Sequence, residues 1–263
     1  MKPDYQNWVP KGMVAGILGA TALTCAGTIV CAATGALPNG ILRAFMSAVF
    51  GIAFVVCAGF SVWCVRAYRA FSYGGQRQLS RKIVEGLAQY VSVPDGGKIL
   101  DVGCGSGALT IACAKRNPGC AVTGLDRWGK EYASYSRRLC ESNARAEGVT
   151  NTVFVKGNAV RLDFPDGSFD AVTSNYVYHN VPARDRQKLL LETLRVLRPG
   201  GVFAIHDLMT PRKFGDMSAF AQELKKRGYR KVALIDTTNG RFMRPKEAKR
   251  LMLRGSAILF GFK

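Results

Sequence analysis

The sequence predicts an α/β protein whose mostly parallel, doubly wound sheet has seven strands and follows two membrane-spanning helices. Three observations favour this fold. Two long apolar stretches open the chain, strand-like runs alternate with helical patterns from residue 98 onward, and a glycine-rich turn directly follows the first of those runs. We therefore expect an anchor over residues 1–70 and an α/β domain over residues 71–263.

The two apolar stretches are predicted to form a transmembrane hairpin. Residues 13–37 carry no charge, and residues 41–65 carry only Arg43. A helix of either length is about 37 Å long at ~1.5 Å per residue, enough to cross a bilayer. Pro38 and Asn39 between them signal a turn. Small residues at four-residue spacing, such as Gly12 and Gly16, are typical of closely packed membrane helices.

Charges flanking the stretches predict the topology. Lys2 and Lys11 precede the first stretch, and Arg66 and Arg69 follow the second, so we expect both termini and the α/β domain on the cytoplasmic side of a cell membrane. A cleaved signal peptide and a buried hairpin of a soluble protein are the alternative interpretations. The second apolar stretch and the scarcity of polar residues favour the anchor.

Composition indicates an anionic partner. The chain has 37 Lys and Arg against 18 Asp and Glu, a net charge of +19. Such an excess suits phosphates of nucleic acid or of anionic lipid, and the anchor favours the inner leaflet over nucleic acid. Residues 241–254 mix basic and apolar side chains, which predicts either an amphipathic helix on that leaflet or a solvated basic helix. The eight cysteines lack zinc-like spacing and are expected to be reduced thiols.

The α/β domain begins with an amphipathic helical pattern over residues 76–91, after which helical patterns fill most gaps between strands. The predicted strands are Lys98–Val102, Ala121–Asp126, residues 152–157, Phe169–Asn175, residues 201–207, residues 231–236 and residues 257–262.

The glycine turn after the first strand has two interpretations. Gly103 and Gly105 with Ala108 fit the dinucleotide fingerprint, whereas Asp101 followed by Gly103, Gly105 and Gly107 is an acid leading into alternating glycines. Asp126, at the end of the next strand, suits a ribose diol in both cases, because a carboxylate can accept from both hydroxyls.

Two later motifs distinguish these interpretations. DFPDGSFDAV at residues 163–172 leads into TSNYVYH at 173–179, and LRVLRPGG at 194–201 precedes a strand. With them, the sequence resembles the class I S-adenosylmethionine-dependent methyltransferases, most closely their small-molecule branch, over about residues 83–263. The resemblance implies a Rossmann-like methyltransferase fold, with S-adenosyl-L-methionine as cofactor.

The same resemblance implies which residues hold the cofactor. The glycines let the backbone approach its methionine part, Asp126 binds the ribose, Arg127 or Trp128 lies beside the adenine, and Asn158 stands where the family usually has Asp. The glycines alone could instead serve only the turn, Asp126 could cap a helix, and Trp128 could simply pack. The implied cofactor residues are Asp101, Gly103, Gly105, Gly107, Asp126, Arg127, Trp128, Asn158, Ala159 and Asn175.

Catalytic candidates follow the fourth strand, because ligands bind at the carboxyl ends of strands in open sheets. They are His179, Tyr178 and Asn175, with His179 as a general base. His206 is the other candidate base, and either histidine could instead shape the pocket through hydrogen bonds. No metal is predicted.

Together these features predict a membrane-anchored methyltransferase that methylates a small, lipophilic acceptor by in-line displacement. The alternatives are methylation of a membrane-associated protein, a cofactor-binding membrane protein without turnover, and nucleic-acid binding through the basic C-terminal segment.

Overall fold

The structure, a computed structural model, describes residues 2–33, 40–129 and 134–263. It divides into two compact units. One comprises residues 6–80, and the other comprises residues 1–5 together with residues 81–263. The second unit is therefore discontinuous in sequence, since its first segment ends at Tyr5 and its second segment begins at Arg81. The division after Ser80 compares with the boundary at residue 70 that the sequence predicts.

Residues 6–80 form a helical hairpin of α1 (Lys11–Ala33) and α2 (Gly40–Phe71). Both helices are long and apolar enough to cross a membrane, and only 6% and 11% of their most apolar windows are buried. Thr21 and Ser61 join the helices through their hydroxyl oxygens, 2.8 Å apart. The predicted turn residues Pro38 and Asn39 lie outside the described residues.

The close helix contact lies elsewhere than the expected small residues. A Cβ placed on Gly12 or Gly16 would meet nothing within 4 Å, whereas one on Gly27 would lie 2.6 Å from the Phe50 ring. Gly27 therefore admits an aromatic ring against the backbone of α1.

The other unit contains a seven-stranded sheet in the order β3-β2-β1-β4-β5-β7-β6, which confirms the predicted fold. Neighbours from β3 to β5 pair in parallel, and β7 pairs antiparallel with both β5 and β6. The central strands are buried on both faces, as their continuous apolar runs predict. The strands are β1 (Lys98–Val102), β2 (Ala121–Asp126), β3 (Thr152–Lys156), β4 (Phe169–Asn175), β5 (Leu197–Leu208), β6 (Arg230–Asp236) and β7 (Ser256–Phe262).

Side-chain caps start several of the helices that connect the strands. Ser136 accepts from the Leu139 amide, and Asp216 accepts from the Ala219 amide, each satisfying a first-turn donor. The remaining helices are α3 (Leu79–Ala88), α4 (Ala108–Arg116), α5 (Arg137–Ala146), α6 (Arg186–Arg195), α7 (Pro211–Phe214), α8 (Met217–Lys226) and α9 (Pro245–Arg250).

The amphipathic helix expected within residues 241–254 is much shorter. Helix α9 covers only Pro245–Arg250, because Pro245 occupies its first turn and Met252 adopts a positive φ of 60° just beyond its end. Met252 is nevertheless 69% exposed among basic neighbours, so the segment presents an apolar tip within a basic surface.

The sheet reverses its winding between β1 and β4. From β1 the order runs outward to β2 and β3 on one side and to β4 and β5 on the other, which makes a topological switch point. A crevice at the carboxyl ends of these strands is where open α/β sheets bind ligands.

Candidate functional site

The loop between β1 and α4 depends on three glycines in the left-handed region. Gly103, Gly105 and Gly107 have φ values of 76°, 55° and 82°. Side chains disfavour this region, so the alternating glycines allow a tight turn in which the Gly103 amide donates to the Leu125 carbonyl at 2.7 Å. The loop is thereby tied to the neighbouring strand β2.

The glycines differ in what surrounds them. A Cβ on Gly103 would lie 2.3 Å from Val177 Cγ2, so packing alone requires this glycine. Among the described residues, a Cβ on Gly105 would meet only the Tyr135 ring, at 3.9 Å. Gly105 therefore borders space that the described residues leave open, where a ligand can approach the backbone closely.

Asp126 organises this loop through backbone hydrogen bonds. Its Oδ2 accepts from the Gly105 amide, and its Oδ1 accepts from the Trp128 amide, each at 2.8 Å. Trp128 returns a bond, because its indole Nε1–H donates to the Gly105 carbonyl at 3.0 Å. Each Asp126 oxygen keeps a second lone pair for a hydroxyl donor. The structure thus brings Asp126, Trp128 and the loop together.

Asp101 lies beneath the loop. It is 1% exposed, and its Oδ2 accepts from Thr110 Oγ1 at 2.7 Å. Burial raises the pKa of the Asp101 carboxyl to about 7; the Thr110 bond opposes this rise, and the Asp126 charge adds to it. Asp101 therefore supports the turn and the start of α4 from inside the unit.

The residues expected around an adenine lie at the ends of β2 and β3. The Gly157 amide donates to the Asp126 carbonyl at 2.9 Å, which places Asn158 and Ala159 beside the end of β2. Asn158 is exposed, and its Oδ1 already accepts from the Val160 amide at 3.0 Å. Ala159 is half-buried, and Arg127 is exposed.

A histidine–carboxylate pair stands beyond β4. His179 Nδ1 lies 2.6 Å from Asp207 Oδ1, and the His179 side chain is only 13% exposed. Within the described part of the chain, His179 Nε2 has no hydrogen-bond partner. A carboxylate on Nδ1 favours the Nδ1–H tautomer, which leaves the Nε2 lone pair able to accept a proton.

Asp207 is itself fixed by the backbone around it. Fully buried, it accepts from the Tyr178 amide through Oδ2 at 2.8 Å and from the Leu208 amide through Oδ1 at 2.7 Å. Both backbone groups donate to this carboxylate, which holds it in place. Asp207 thereby sets the position of the His179 ring.

The other histidine belongs to a buried network. His206 Nδ1 lies 2.8 Å from Asn175 Oδ1, and Nε2 lies 2.9 Å from Thr237 Oγ1. Burial lowers the pKa of His206 to about 3, against the opposing effect of Asp207, so the ring is neutral at physiological pH. His206 consequently orients Asn175 at the end of β4, and its buried, hydrogen-bonded ring favours His179 as the candidate base.

Tyr178 does not join the candidate catalytic groups. Its side chain is fully buried in the core, and its hydroxyl is hydrogen-bonded to Thr193 Oγ1. The expected contact with a substrate is therefore corrected to a packing role. Tyr176, its neighbour, has a φ of 55° and hydrogen-bonds Ser256 Oγ at 2.7 Å, with its ring centroid 4.6 Å from that of His206.

Sequence reasoning missed two contributors. Asp207 directly follows His206 in the sequence, yet its carboxylate contacts His179. Arg186 fastens the segment that carries His179, donating to the Tyr178 and Val181 carbonyls at 2.9 and 3.3 Å. Only Asp207 had a sequence signal, an acid at the end of a strand beside a histidine.

Comparison with known proteins matches this region to a family. The family model described as "Methyltransferase domain" matches residues 100–205, from β1 into β5. The demethylmenaquinone methyltransferase of Geobacillus stearothermophilus is 37% identical over 126 residues, covering 48% of this chain and 51% of that protein. The sterol 24-C-methyltransferase ERG6A of Gibberella zeae is 39% identical over 126 residues, covering 47% of this chain and 31% of that protein.

The chain thus spans about half the length of the first relative and about a third of the second. Among solved structures, geranyl diphosphate methyltransferase in complex with GPP and sinefungin superposes with a TM-score of 0.54 at 17% identity. The match covers 74% of this chain and 81% of that one. At this identity, the likeness shows a shared fold.

Proposed function

We propose that the chain carries a domain of the class I S-adenosylmethionine-dependent methyltransferases, as the matched family model and the relatives support, and that it is a membrane-anchored enzyme that methylates a small, lipophilic acceptor. One observation carries the proposal beyond the family. The glycine loop and the His179–Asp207 pair stand at the same carboxyl edge, linked by Val177, which packs against Gly103 two residues before His179.

The chain's residues fit the cofactor. The open space at Gly105 admits close backbone approach, and Asp126 offers lone pairs to ribose hydroxyls. We assign the methionine part to the loop and the adenine to the side of Trp128 and Asn158. When bound, S-adenosyl-L-methionine supplies a methyl group on a sulfonium sulfur. The sulfur is the leaving group and becomes a neutral thioether.

His179 prepares the acceptor. Its Nε2 takes the proton that the acceptor loses as its nucleophilic atom is alkylated, and the buried Asp207 carboxylate stabilises the resulting imidazolium. Asn175, held by His206, presents its amide at the end of β4. In-line displacement demands alignment above all, and the backbone bonds around Asp207 keep the base in one place.

A lipophilic acceptor agrees with two independent features. The relatives reported above are named for demethylmenaquinone and sterol methylation, both of which concern molecules that dissolve in bilayers. The apolar hairpin would hold the enzyme at such a bilayer. We propose a multi-pass anchor with both termini and the methyltransferase domain cytoplasmic, following the flanking positive charges.

Anionic lipid is the proposed partner of the basic C-terminal surface. Lys249, Arg250 and Arg254 surround the exposed Met252, a combination suited to headgroup phosphates and the acyl boundary. The short α9 replaces the longer amphipathic helix in this role.

The experiment uses the full-length protein in nanodiscs, with prenylated quinols and sterols as acceptors and methyl-labelled cofactor. We expect label in one of these lipids from the wild type. His179→Ala should bind cofactor without transferring the methyl group. Label in protein instead would favour methylation of a membrane-associated protein, and cofactor binding without any transfer would favour a non-catalytic role.

A further inference from the structure

We propose that Asn143 is a positioning residue that connects residues 2–5, here called the N-terminal strap, to the glycine loop, so that docking of the strap strengthens cofactor binding. The inference rests on the proposed function, because it assigns the glycine loop to the cofactor. The strap itself lies outside both the sequence motifs and the family model, which begins at residue 100.

Asn143 is the centre of this connection. It lies in α5, is 2% exposed, and exchanges two hydrogen bonds with the backbone of Asp4. Its Oδ1 accepts from the Asp4 amide at 2.7 Å, and its Nδ2 donates to the Asp4 carbonyl at 2.9 Å. The side-chain amide thus pairs with the strap as a neighbouring strand would.

The remaining Asn143 proton reaches the glycine loop. Nδ2 also donates at 3.0 Å to the carbonyl of Ser106, which lies between Gly105 and Gly107. The same peptide plane is held from its other side, since the Gly107 amide donates to the Cys104 carbonyl at 2.8 Å. Because a peptide unit is planar, these two bonds fix its orientation. Loss of the Asn143 bond frees one side of it.

A second attachment keeps the strap on α5. Tyr5 is 5% exposed, and its hydroxyl donates to Glu147 Oε1 at 3.0 Å, one turn beyond Asn143. Lys115 of α4 is paired with the same carboxylate. Burial alone would raise the pKa of Glu147, but the bonds from Lys115 and Tyr5 hold it below its usual range. A charged Glu147 is therefore available to Tyr5 at neutral pH.

Linkage gives this arrangement its consequence. If the docked strap stabilises the loop conformation that binds cofactor, bound cofactor must stabilise the docked strap equally. The strap precedes α1 by only residues 6–10, so the first apolar helix begins close in sequence to a contact with the cofactor loop.

The test measures S-adenosylhomocysteine affinity by calorimetry on full-length protein in nanodiscs. Asn143→Ala and deletion of residues 2–5 should each weaken binding about tenfold, because each breaks the connection from the strap to the Ser106 carbonyl. Asn117→Ala is the matched control. Asn117 is 4% exposed, accepts from the Val93 amide and donates to two carbonyls, but it caps the far end of α4.

The control should change the affinity less than about twofold. An equal weakening by Asn117→Ala, or unchanged affinity after deletion of the strap, would overturn the inference. A wild type that binds no cofactor would contradict the proposed function and the coupling with it.

Hydrogen exchange provides a readout that needs no variant. In wild type, saturating S-adenosylhomocysteine should slow exchange of the Asp4 amide, because its bond to Asn143 Oδ1 must break before exchange. Exchange at Asp4 that does not respond to a ligand shown to bind would exclude the coupling.

Discussion

Asp207 and His179 illustrate how single residues acquire function from their surroundings. A buried carboxylate is costly unless it is fully paired, and Asp207 is paired with backbone amides and with the His179 ring. The hydrogen bonds of Asp207 hold the proposed base, His179, in place. Within the described residues, the pair includes no metal ligand and no second acid.

Replacing Asp207 by Asn should lower kcat by about 100-fold or more, since an amide no longer stabilises the imidazolium and disturbs the tautomer of His179. Cofactor affinity, measured by calorimetry, should change little. The double variant with His179→Ala should be no slower than His179→Ala alone, because the two residues act as one unit. Additive losses would show that Asp207 acts independently of His179.

Asp101 gives a stability prediction with a defined pH window. Its folded-state pKa of about 7 exceeds the ordinary aspartate value of 3.8, so the native state binds its proton more tightly than the unfolded chain does. Its contribution to stability is present below about pH 4 and is lost as the pH rises to about 7. Thermal unfolding should therefore show Asp101→Asn gaining stability relative to wild type across that window. A constant difference would refute this assignment.

Residues near each other in sequence were predictable, and distant pairings were not. Asp101 and Asp126 lie near the ends of buried strands and the glycines directly follow the first of these strands, so their placement at one edge follows from strand direction alone. The His179–Asp207 bond joins residues 28 positions apart, and their meeting depends on how β4 and β5 align. For the same reason, Tyr178 looked like a site residue although its ring turns into the core.

At the scale of elements, two glycines of the loop have different surroundings: packing requires one, and the other leaves room for a ligand. Gly103 abuts Val177, whereas Gly105 borders open space at the same kind of backbone angle. Strand positions were predicted well because apolar runs buried on both faces leave few alternatives. The limits of α9 were predicted poorly, because Pro245 and the turn at Met252 outweigh its amphipathic pattern.

Alanine at the two glycines should therefore have different effects. Gly105→Ala should fold with a loss of about 1–2 kcal/mol for its left-handed backbone, but should bind cofactor poorly because the methyl group enters the ligand's space. Gly103→Ala adds the clash with Val177 and should be clearly less stable. Denaturant unfolding and calorimetry measure both. Equal stability of the two variants would contradict the packing argument.

At the scale of the whole molecule, the residues of the hairpin interrupt the sequence of the other unit. Residues 6–80 interrupt a unit that begins with the strap and resumes at Arg81. The sequence predicted the apolar helices from length and composition, but it could not reveal that residues 2–5 belong to the other unit. That assignment depends on the Asn143 and Glu147 contacts, which carry no motif.

The apolar hairpin should govern membrane attachment. Alkaline carbonate washing should leave full-length protein in the membrane pellet, whereas a variant that replaces residues 11–71 with a flexible linker should be largely released. If the variant still binds anionic vesicles, this binding should weaken as the salt concentration rises, as the basic surface around Met252 predicts. Release of the full-length protein by carbonate would contradict a transmembrane anchor.

Methyl transfer to a bilayer-dissolved acceptor can be followed directly with a labelled methyl group. Full-length protein is incubated with methyl-labelled S-adenosylmethionine and native membranes, and label is then counted in lipid, aqueous, protein and nucleic-acid fractions. We expect label in the lipid fraction. Asp126→Ala should lose both cofactor binding and label, whereas His179→Ala should lose the label but still bind cofactor. Label confined to another fraction, or absent while wild type binds cofactor, would contradict this proposal.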